Sequence, residues 1–479
     1  MPFSSYLRSG FAAGKLGALH FHRAWRRLLS SAVASETMPV RLRVEPDAKC
    51  LFDRPVRVKV EGLSPLQPVT LRATLTDERS TVFTSTASYR ADRTGMLDLC
   101  SAAALGGDYT GVQPMGFLWA MKSRTPNKRL MKRDVTTPYE VHIAVYPGSE
   151  AGGAEPGGSP LASCTNERGF LGEGVRRLPV REGRIRATLF LPAGCRQTWP
   201  GAEGLFLWGS SGEGPFPGVI DLGGTAGGLL EHRGSLLANH GFATLTLAYF
   251  DFEDLPKHLV EFDLEYFEEA LRYLQDLPQV RKGGIGVLGV SKGADLALSM
   301  ASFLDGVAAV VSIAGCNANF QSTLRFKGAE LPALMVVIEN LKTDPSTGAC
   351  FFTECYEDPR DPACRAVIPI ERAGARFLFV GGEDDCIWNT CMYTREAEKR
   401  LVSHGKDRPE ILRLPGTGHL VEPPYFPLCQ VSFHKPVNMN LVWGGEVEAH
   451  AAGQEMAWAR VRRFLWENLG GAGCAKSKL

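Results

Sequence analysis

The sequence contains no long run of apolar residues and carries almost no net charge. Its longest apolar stretches, near 307–314 and 331–338, are far shorter than the roughly 20 residues that a membrane-spanning helix needs. The 53 Lys and Arg residues nearly balance the 52 Asp and Glu residues, which gives a net charge of +1 and no broad basic face. We therefore predict no transmembrane segment and no nucleic-acid partner.

The sequence also lacks the cysteine spacing of a structural metal site. None of its 12 cysteines forms a C-x-x-C pair or joins a Cys/His cluster at zinc spacing. Cys350, Cys355 and Cys364 fall within one polar segment, where metal ligands or a disulfide are the alternatives to free thiols. Free thiols are typical of a reducing compartment, and we predict them here together with the absence of a bound metal.

Acidic residues are missing from the first 35 positions, where basic and apolar residues occur at the spacing of an amphipathic helix. This composition is typical of a mitochondrial transit peptide, predicted at residues 1–37, with a disordered basic tail as the alternative. At the other end, Ser477-Lys478-Leu479 matches a peroxisomal address. Translation from Met1 or from Met38 would give two forms. We expect mitochondrial import receptors, peroxisomal import receptors or both as partners, and the mitochondrial matrix as the place of the full-length form.

Short alternating segments fill residues 38–180. Apolar and polar residues alternate in runs such as Val56–Val60, Val69–Leu75 and Tyr139–Val145, and turn residues separate the runs. A period of two, repeated at short spacing, is typical of antiparallel strands that bury one face. We predict an antiparallel β-sandwich domain that contains no catalytic cluster.

Residues 181–471 show continuous apolar runs that alternate with helical periodicity. Buried parallel strands are predicted at 218–222, 243–248, 285–290, 307–313 and 376–380. A helix should end before Pro278, and a final helix should cover 454–468, ahead of a tail at 472–479. This alternation predicts a doubly wound, mostly parallel sheet, whose site lies beyond the carboxyl ends of the strands.

The pentapeptide Gly289-Val290-Ser291-Lys292-Gly293 stands between a predicted strand and a helical pattern. In that context G-x-S-x-G forms a nucleophile elbow, because the glycines leave room for a tight turn that projects the serine oxygen. An ordinary turn with a buried or solvated serine is the alternative. The choice depends on whether an acid and a histidine follow along the chain.

Both follow, each on a loop beyond a strand. Glu383, Asp384 and Asp385 come after 376–380, and His419 comes after a predicted strand at 410–414. This order is that of the α/β-hydrolases, in which histidine takes the serine proton and a buried carboxylate orients the imidazole. The pattern does not choose among the three acids. His419 is favoured over the histidines in predicted helices or beyond the last core strand, which are His232, His240, His404, His434 and His450.

An oxyanion formed at this serine would need two backbone donors. Lys292 follows the serine and supplies one N–H. The glycine-rich loop 223–228 suits the other, with Gly224 and Thr225 as candidates, because glycines let the backbone approach a substrate closely. The loop lacks the G-K-[ST] ending of a P-loop, which argues against the alternative role of a phosphate cradle.

Longer motifs accompany these residues: Leu130–Val135, Gly227–Glu231, Tyr249–Pro256, Leu264–Ala270, Leu298–Leu304, Glu422–Cys429 and Trp443–Glu446. Through them, and from about residue 40 to residue 471, the sequence resembles the type-I acyl-CoA thioesterases, which are related to bile acid-CoA:amino acid N-acyltransferase. Residues 196–213 look like an insertion relative to the family, and Cys386 replaces a usual histidine.

The resemblance implies a β-sandwich, an α/β-hydrolase domain and a triad of Ser291, Asp385 and His419. It implies hydrolysis of fatty acyl-CoA to fatty acid and CoA without a metal or organic cofactor. Because the conjugating relative has a cysteine nucleophile, Ser291 points to water as the acyl acceptor. Transfer to glycine or taurine is one alternative, and a non-catalytic acyl-CoA-binding protein is another. Basic residues near the mouth of the site, Lys292 among them, are expected to meet the CoA phosphates.

Overall fold

The alternating segments of the N-terminal domain form two β-sheets. The computed structural model describes residues 39–148, 157–194, 214–259 and 261–470 of the chain. The elements of this domain are β1 (Arg41–Glu45), β2 (Lys49–Leu51), β3 (Arg57–Glu61), β4 (Pro68–Thr76), β5 (Val82–Arg90), β6 (Leu97–Asp98), β7 (Gly106–Gly107), α1 (Gly116–Trp119), β8 (Lys122–Ser123), β9 (Tyr139–Pro147) and β10 (Ala162–Gly169).

Alternate residues of these strands enter a shared apolar core. In β4, for example, Val69, Leu71, Ala73 and Leu75 are buried and the residues between them are half-buried. One sheet has the order β1-β3-β6, and the other has the order β2-β10-β9-β4-β5-β7 with β8 paired to β5. The predicted antiparallel β-sandwich is confirmed, apart from the edge strand β2, which pairs in parallel with β10.

The second half of the chain contributes one large sheet with helices on it. Its elements are β11 (Arg176–Val180), β12 (Ala187–Leu191), β13 (Gly218–Leu222), α2 (His232–Asn239), β14 (Ala243–Leu247), β15 (Glu261–Asp263), α3 (Leu264–Asp276), β16 (Ile285–Val290), α4 (Lys292–Phe303), β17 (Val307–Ile313), β18 (Thr323–Phe326), β19 (Ala329–Leu331), β20 (Lys342–Thr343), β21 (Cys350–Phe351), β22 (Arg376–Gly382), α5 (Thr390–Ser403), β23 (Glu410–Leu414), β24 (Val431–His434), β25 (Met439–Val442) and α6 (Val447–Leu469).

The strand order of the large sheet is β11-β12-β14-β13-β16-β17-β22-β23. The first two pairings are antiparallel and the other five are parallel. This is the α/β-hydrolase sheet, which confirms the predicted fold class. A smaller sheet, in the order β20-β21-β25-β24, joins the segment between β17 and β22 to the hairpin 431–442. None of the helices in the described ranges is both long and apolar enough to cross a bilayer.

The large sheet includes the edge strand β11, which pairs with β12 and lies just before residue 181, where the hydrolase domain is predicted to begin. One predicted boundary is wrong. The final helix begins at Val447 and not at 454, because its first turns carry small residues that give no apolar period. Three predicted segments lie outside the described residues: the targeting segment 1–37, the insertion 196–213 and the tail 472–479.

Asp53 connects the two domains through a buried cluster. Its Oδ2 atom accepts hydrogen bonds from His240 Nε2 at 2.5 Å and from Trp458 Nε1 at 2.8 Å, and Arg462 contacts the same His240 ring. Burial by itself would raise the pKa of Asp53, but the attraction of His240 and Arg462 outweighs it and holds this pKa below its usual range. The cluster therefore fixes the sandwich against α2 and α6 of the hydrolase domain.

We expect Asp53→Ala to lower the free energy of unfolding by about 3–5 kcal/mol at neutral pH, because it leaves buried polar partners without their acceptor. Folding lowers the pKa of Asp53, so its contribution is present above about pH 4 and is lost as the pH falls further. The difference between wild type and variant in denaturant titrations should therefore shrink in acid. Asp407→Ala, which breaks an exposed ion pair with Arg376, is the control and should cost at most about 1 kcal/mol. Equal losses in the two variants would contradict this role.

Candidate active site

Ser291 lies in a strained turn between β16 and α4. Its backbone angles are φ 55° and ψ −120°, a conformation that non-glycine residues rarely adopt. A Cβ at Gly289 would overlap the carbonyl oxygen of Gly293, and a Cβ at Gly293 would lie 2.5 Å from the carbonyl oxygen of Leu222. Both glycines are therefore required by close backbone approach. The turn presents the Ser291 hydroxyl at the carboxyl ends of the central strands.

His419 meets this hydroxyl from the loop after β23. The Ser291 hydroxyl donates to His419 Nε2 over 3.1 Å, and His419 Nδ1–H donates to Asp385 Oδ2 over 2.9 Å. His419 is only 2% exposed. The structure thus brings three residues that are far apart in sequence into one hydrogen-bonded chain, in which the imidazole can take the serine proton while the carboxylate stabilises the resulting cation.

The structure distinguishes the three acids that the sequence left open. Glu383 and Asp384 are exposed residues, whereas Asp385 is buried against the imidazole. The second oxygen of Asp385 accepts the N–H groups of Ile387 at 2.8 Å and Trp388 at 3.0 Å, which orients the carboxylate. Asp384 has a different partner, since its Oδ2 accepts the N–H of Gly445 at 2.7 Å.

Trp443 holds His419 by stacking on its ring and through the backbone. The indole stacks on the imidazole with ring centroids 5.6 Å apart and an interplanar angle of 21°, and the Trp443 carbonyl accepts the His419 N–H at 2.8 Å. The indole N–H is itself fixed by Ser432 Oγ at 2.8 Å. The ring of His419 therefore has little freedom to turn away from Ser291.

The glycine-rich loop after β13 lies directly beside Ser291. A Cβ at Gly224 would lie 3.0 Å from Ser291 Cβ and 3.6 Å from Ser291 Oγ. Tyr249 holds two carbonyls of this loop, because its hydroxyl donates to Gly223 O at 2.7 Å and to Gly224 O at 3.2 Å. Lys292 is the first residue of α4, so its N–H has no acceptor within the helix. Gly224 is therefore next to Ser291, and Lys292, Gly224 and Thr225 stay the predicted oxyanion donors.

His434 joins this site without being the base. Its Nε2 lies 2.8 Å from Thr225 Oγ1, and its ring packs edge-on against Trp443. Burial, with the charges of His419 and Arg129, lowers the pKa of His434 to about 4, so the ring is neutral near pH 7. No sequence signal shows that the hairpin 431–442 returns to the loop after β13.

The expectation that the Lys292 side chain meets CoA phosphates is wrong. The side chain is fully buried, and its ammonium group donates to Asp295 Oδ2 and Asn319 Oδ1, each at 3.1 Å, and to the carbonyl of Phe320. Burial raises the pKa of Asp295 to about 6 in spite of this partner. Lys292 faces the interior because it follows the elbow on the inner side of α4, and only its N–H remains at the site.

The polar segment with three cysteines forms no disulfide within the described part of the chain. Cys350, Cys355 and Cys364 are free thiols, and burial raises the pKa of Cys355 and Cys364. The described ranges contain no group of three His, Cys, Asp or Glu residues arranged to hold a metal ion. Cys386 lies next to the acid, and burial raises its pKa to about 11, so it is not a thiolate at neutral pH.

Two family models match the chain. They are described as "Acyl-CoA thioester hydrolase/BAAT N-terminal region", over residues 53–182, and "BAAT / Acyl-CoA thioester hydrolase C terminal", over residues 262–471. A solved structure, that of the esterase Pf2001 of Pyrococcus furiosus, covers 62% of this chain and 92% of its own at 13% identity and a TM-score of 0.35. That likeness is too low to add to the strand order as a basis for the fold.

Three curated relatives cover most of the chain. Acyl-coenzyme A thioesterase 1 of Homo sapiens is 47% identical over 91% of this chain and 98% of its own length. Acyl-coenzyme A thioesterase 2, mitochondrial, of Homo sapiens is 47% identical over 91% and 85%. Peroxisomal succinyl-coenzyme A thioesterase of Mus musculus is 45% identical over 90% and 98%. With both domains matched and this level of identity, the chain belongs to the acyl-CoA thioester hydrolase/BAAT family.

Proposed function

We propose that this protein is an acyl-CoA thioesterase that hydrolyses fatty acyl-CoA to a free fatty acid and CoA. The observation that supports this most is the hydrogen-bonded chain from Ser291 through His419 to Asp385, at the carboxyl edge of the sheet and beside a loop suited to hold an oxyanion. Family membership supports the thioester as the bond that is attacked. Ser291 is the nucleophile, His419 the general base and Asp385 the orienting acid.

In the first half of the reaction, Ser291 Oγ attacks the thioester carbonyl carbon while His419 Nε2 takes the hydroxyl proton. The N–H groups of Lys292 and of the Gly224–Thr225 loop hold the negative oxygen of the tetrahedral intermediate. Asp385 stabilises the imidazolium through Nδ1–H. The C–S bond then breaks, CoA leaves as a thiol after taking the proton from His419, and the acyl group remains on Ser291 as an ester.

In the second half, a water molecule replaces CoA. His419 removes a proton from this water as its oxygen attacks the ester carbonyl, and the same oxyanion donors act again. The ester C–O bond breaks, Ser291 regains its proton from His419, and the fatty acid leaves. These reaction steps need no metal or organic cofactor, because the imidazole carries out each proton transfer and the leaving group is a thiol of moderate pKa.

The acyl acceptor can be tested by product analysis. We expect acyl-CoA given with excess glycine or taurine to yield free fatty acid and CoA in equal amounts, with little conjugate, over a series of acyl lengths. Ser291→Ala should lower kcat by about 10⁴-fold or more while keeping the fold and acyl-CoA binding, because it removes the nucleophile alone. A dominant glycine or taurine conjugate would favour the acyltransferase alternative. Acyl-CoA binding without turnover in the wild type would favour the non-catalytic alternative.

The oxyanion loop can be tested at Gly224. A methyl group there would lie 3.0 Å from Ser291 Cβ and 3.2 Å from the Val290 carbonyl oxygen, so either the loop or the serine must move. We expect Gly224→Ala to lower kcat by about 10²-fold to 10³-fold with little change in KM, because the loss falls on the transition state. Gly374→Ala is the matched control, since a Cβ there meets no atom within 4 Å. Wild-type kcat in Gly224→Ala would contradict the assignment.

For localisation, we propose two addresses that both lie outside the described residues: a mitochondrial segment at 1–37 and the peroxisomal Ser477-Lys478-Leu479. Relatives whose names include "mitochondrial" and "peroxisomal" support both compartments. We also propose a sandwich domain at residues 38–180 and a hydrolase domain at residues 181–471, with the edge strand β11 joining the large sheet just before that boundary.

The two addresses can be separated in cells. We expect the untagged chain from Met1 to reach mitochondria, and a chain from Met38 with an N-terminal tag to reach peroxisomes unless its last three residues are removed. Cell fractionation and fluorescence microscopy measure both. A cytosolic Met38 chain would overturn the peroxisomal address, and a Met1 chain excluded from mitochondria would overturn the other.

A further inference from the structure

His450 lies behind the loop that carries His419 and contacts it on both sides of that residue. Its Nδ1 accepts the N–H of Gly418 at 3.1 Å, and its Nε2 lies 3.1 Å from the carbonyl oxygen of Leu420. The side chain is 1% exposed. We propose that His450 is a positioning residue of the reaction, which fixes the catalytic histidine by holding the backbone N–H of the residue before it and the backbone carbonyl of the residue after it.

The two contacts require one form of the imidazole. A backbone N–H can only donate, so Nδ1 of His450 must carry a lone pair, and a carbonyl oxygen can only accept, so Nε2 must carry the proton. The ring is therefore the neutral Nε2–H tautomer. Burial lowers the pKa of His450 to about 4, which agrees with this geometry, and the nearby Glu422 and Arg129 charges oppose each other. An imidazolium would present a second proton to the Gly418 N–H and break the contact.

His450 is itself held at the start of α6. Its N–H donates to the Glu446 carbonyl at 2.7 Å, and the N–H of Glu446 donates to the Gly416 carbonyl at 2.8 Å. The side-chain amide of Gln454, one turn further along the helix, has its Nε2 atom 3.2 Å from His450 Nε2 and its Oε1 atom buried without a partner, so turning the amide over lets Oε1 accept from the Nε2–H of His450. The side chain thus acts from a rigid support, the first turns of a 23-residue helix.

The same segment reaches the acid loop. The N–H of Gly445 donates to Asp384, next to the acid Asp385, and a Cβ at Gly418 would overlap the carbonyl of Gly444. Residues 443–450 therefore pack between the acid loop and the base loop without spare space. Because the Ser291–His419 hydrogen bond is 3.1 Å long, a shift of the base loop by about 1 Å would cost roughly 10²-fold in rate.

The inference rests on the proposed function, and the experiment separates the two. A fluorophosphonate probe reacts with Ser291 only when His419 activates it, so its labelling rate reports the positioning of the base without using acyl-CoA. The full-length protein is compared with four variants: His450→Phe, His450→Gln, Val461→Ala and Ser291→Ala. Labelling rate, kcat and KM for a fatty acyl-CoA, and Tm are measured for each.

His450→Phe keeps a ring of similar size but loses both hydrogen bonds, so labelling rate and kcat should each fall about 10²-fold with little change in KM. His450→Gln should stay within about fivefold of wild type, because its amide offers an acceptor and a donor separated by one carbon, as the neutral imidazole does. Val461→Ala removes buried apolar contact elsewhere on α6 and should lower Tm without slowing labelling.

A His450→Phe variant that is folded and labelled at the wild-type rate would overturn the inference. A folded His450→Gln variant whose labelling rate falls as much as that of His450→Phe would also overturn it. If His450→Phe does not fold, His450→Gln decides alone: a labelling rate within about fivefold of wild type supports the inference, and a fall of about 10²-fold overturns it. Failure of the proposed function gives a different result, in which the wild type neither reacts with the probe at Ser291 nor hydrolyses acyl-CoA.

Discussion

The site depends on the close backbone approach at the elbow between β16 and α4. Gly293 lies against the carbonyls of Leu222 and Gly223, and Gly289 lies against Gly293, so no side chain larger than hydrogen fits at either position. This contact joins the end of one central strand to the loop of its neighbour. As a result, the strained Ser291 and the candidate oxyanion loop occupy fixed places relative to each other, and the strain at Ser291 is sustained by the packed strands on both sides.

The base and the acid reach Ser291 through a second level of support. The segment that runs from Trp443 into α6 contacts both loops: Trp443 stacks on His419, and Gly445 binds Asp384. Further along α6, Trp458 binds Asp53 of the sandwich domain. One helix therefore connects the N-terminal domain to the histidine loop. The sandwich domain contributes none of the three triad residues, but through this helix it supports the loop that carries His419.

Much of this arrangement could be predicted from the sequence because it depends on local patterns. The period-two runs of the sandwich, the continuous apolar strands of the sheet and the G-x-S-x-G pentapeptide each identify their element without reference to the rest of the chain. The place of His419 followed from the order of loops after strands. The choice of Asp385 rested on the resemblance, and the structure supplies its physical reason, which is that Asp385 alone of the three acids is buried against the imidazole.

The remaining features depend on long-range packing, which has no local signal. The Lys292 side chain turns inward because α4 buries that face, whereas the prediction from the sequence had put this side chain near the mouth of the site. His434 and His450 come after the last core strand, where nothing in the pattern shows that a hairpin and a helix return to the site. The edge strand β11, with the sequence Arg-Arg-Leu-Pro-Val, lacks the continuous apolar run of the central strands, so only its pairing with β12 assigns it to the large sheet.

The most direct test of the account is to trap the intermediate. Wild-type protein mixed with a slowly hydrolysed fatty acyl-CoA, quenched within the first turnover and digested, should give a peptide that carries one acyl group on Ser291, with an equal amount of CoA released. Peptide mass spectrometry measures the first quantity and a thiol reagent the second. Release of CoA with Ser291 unmodified throughout, or with the acyl group on another residue such as Cys386, would contradict the account.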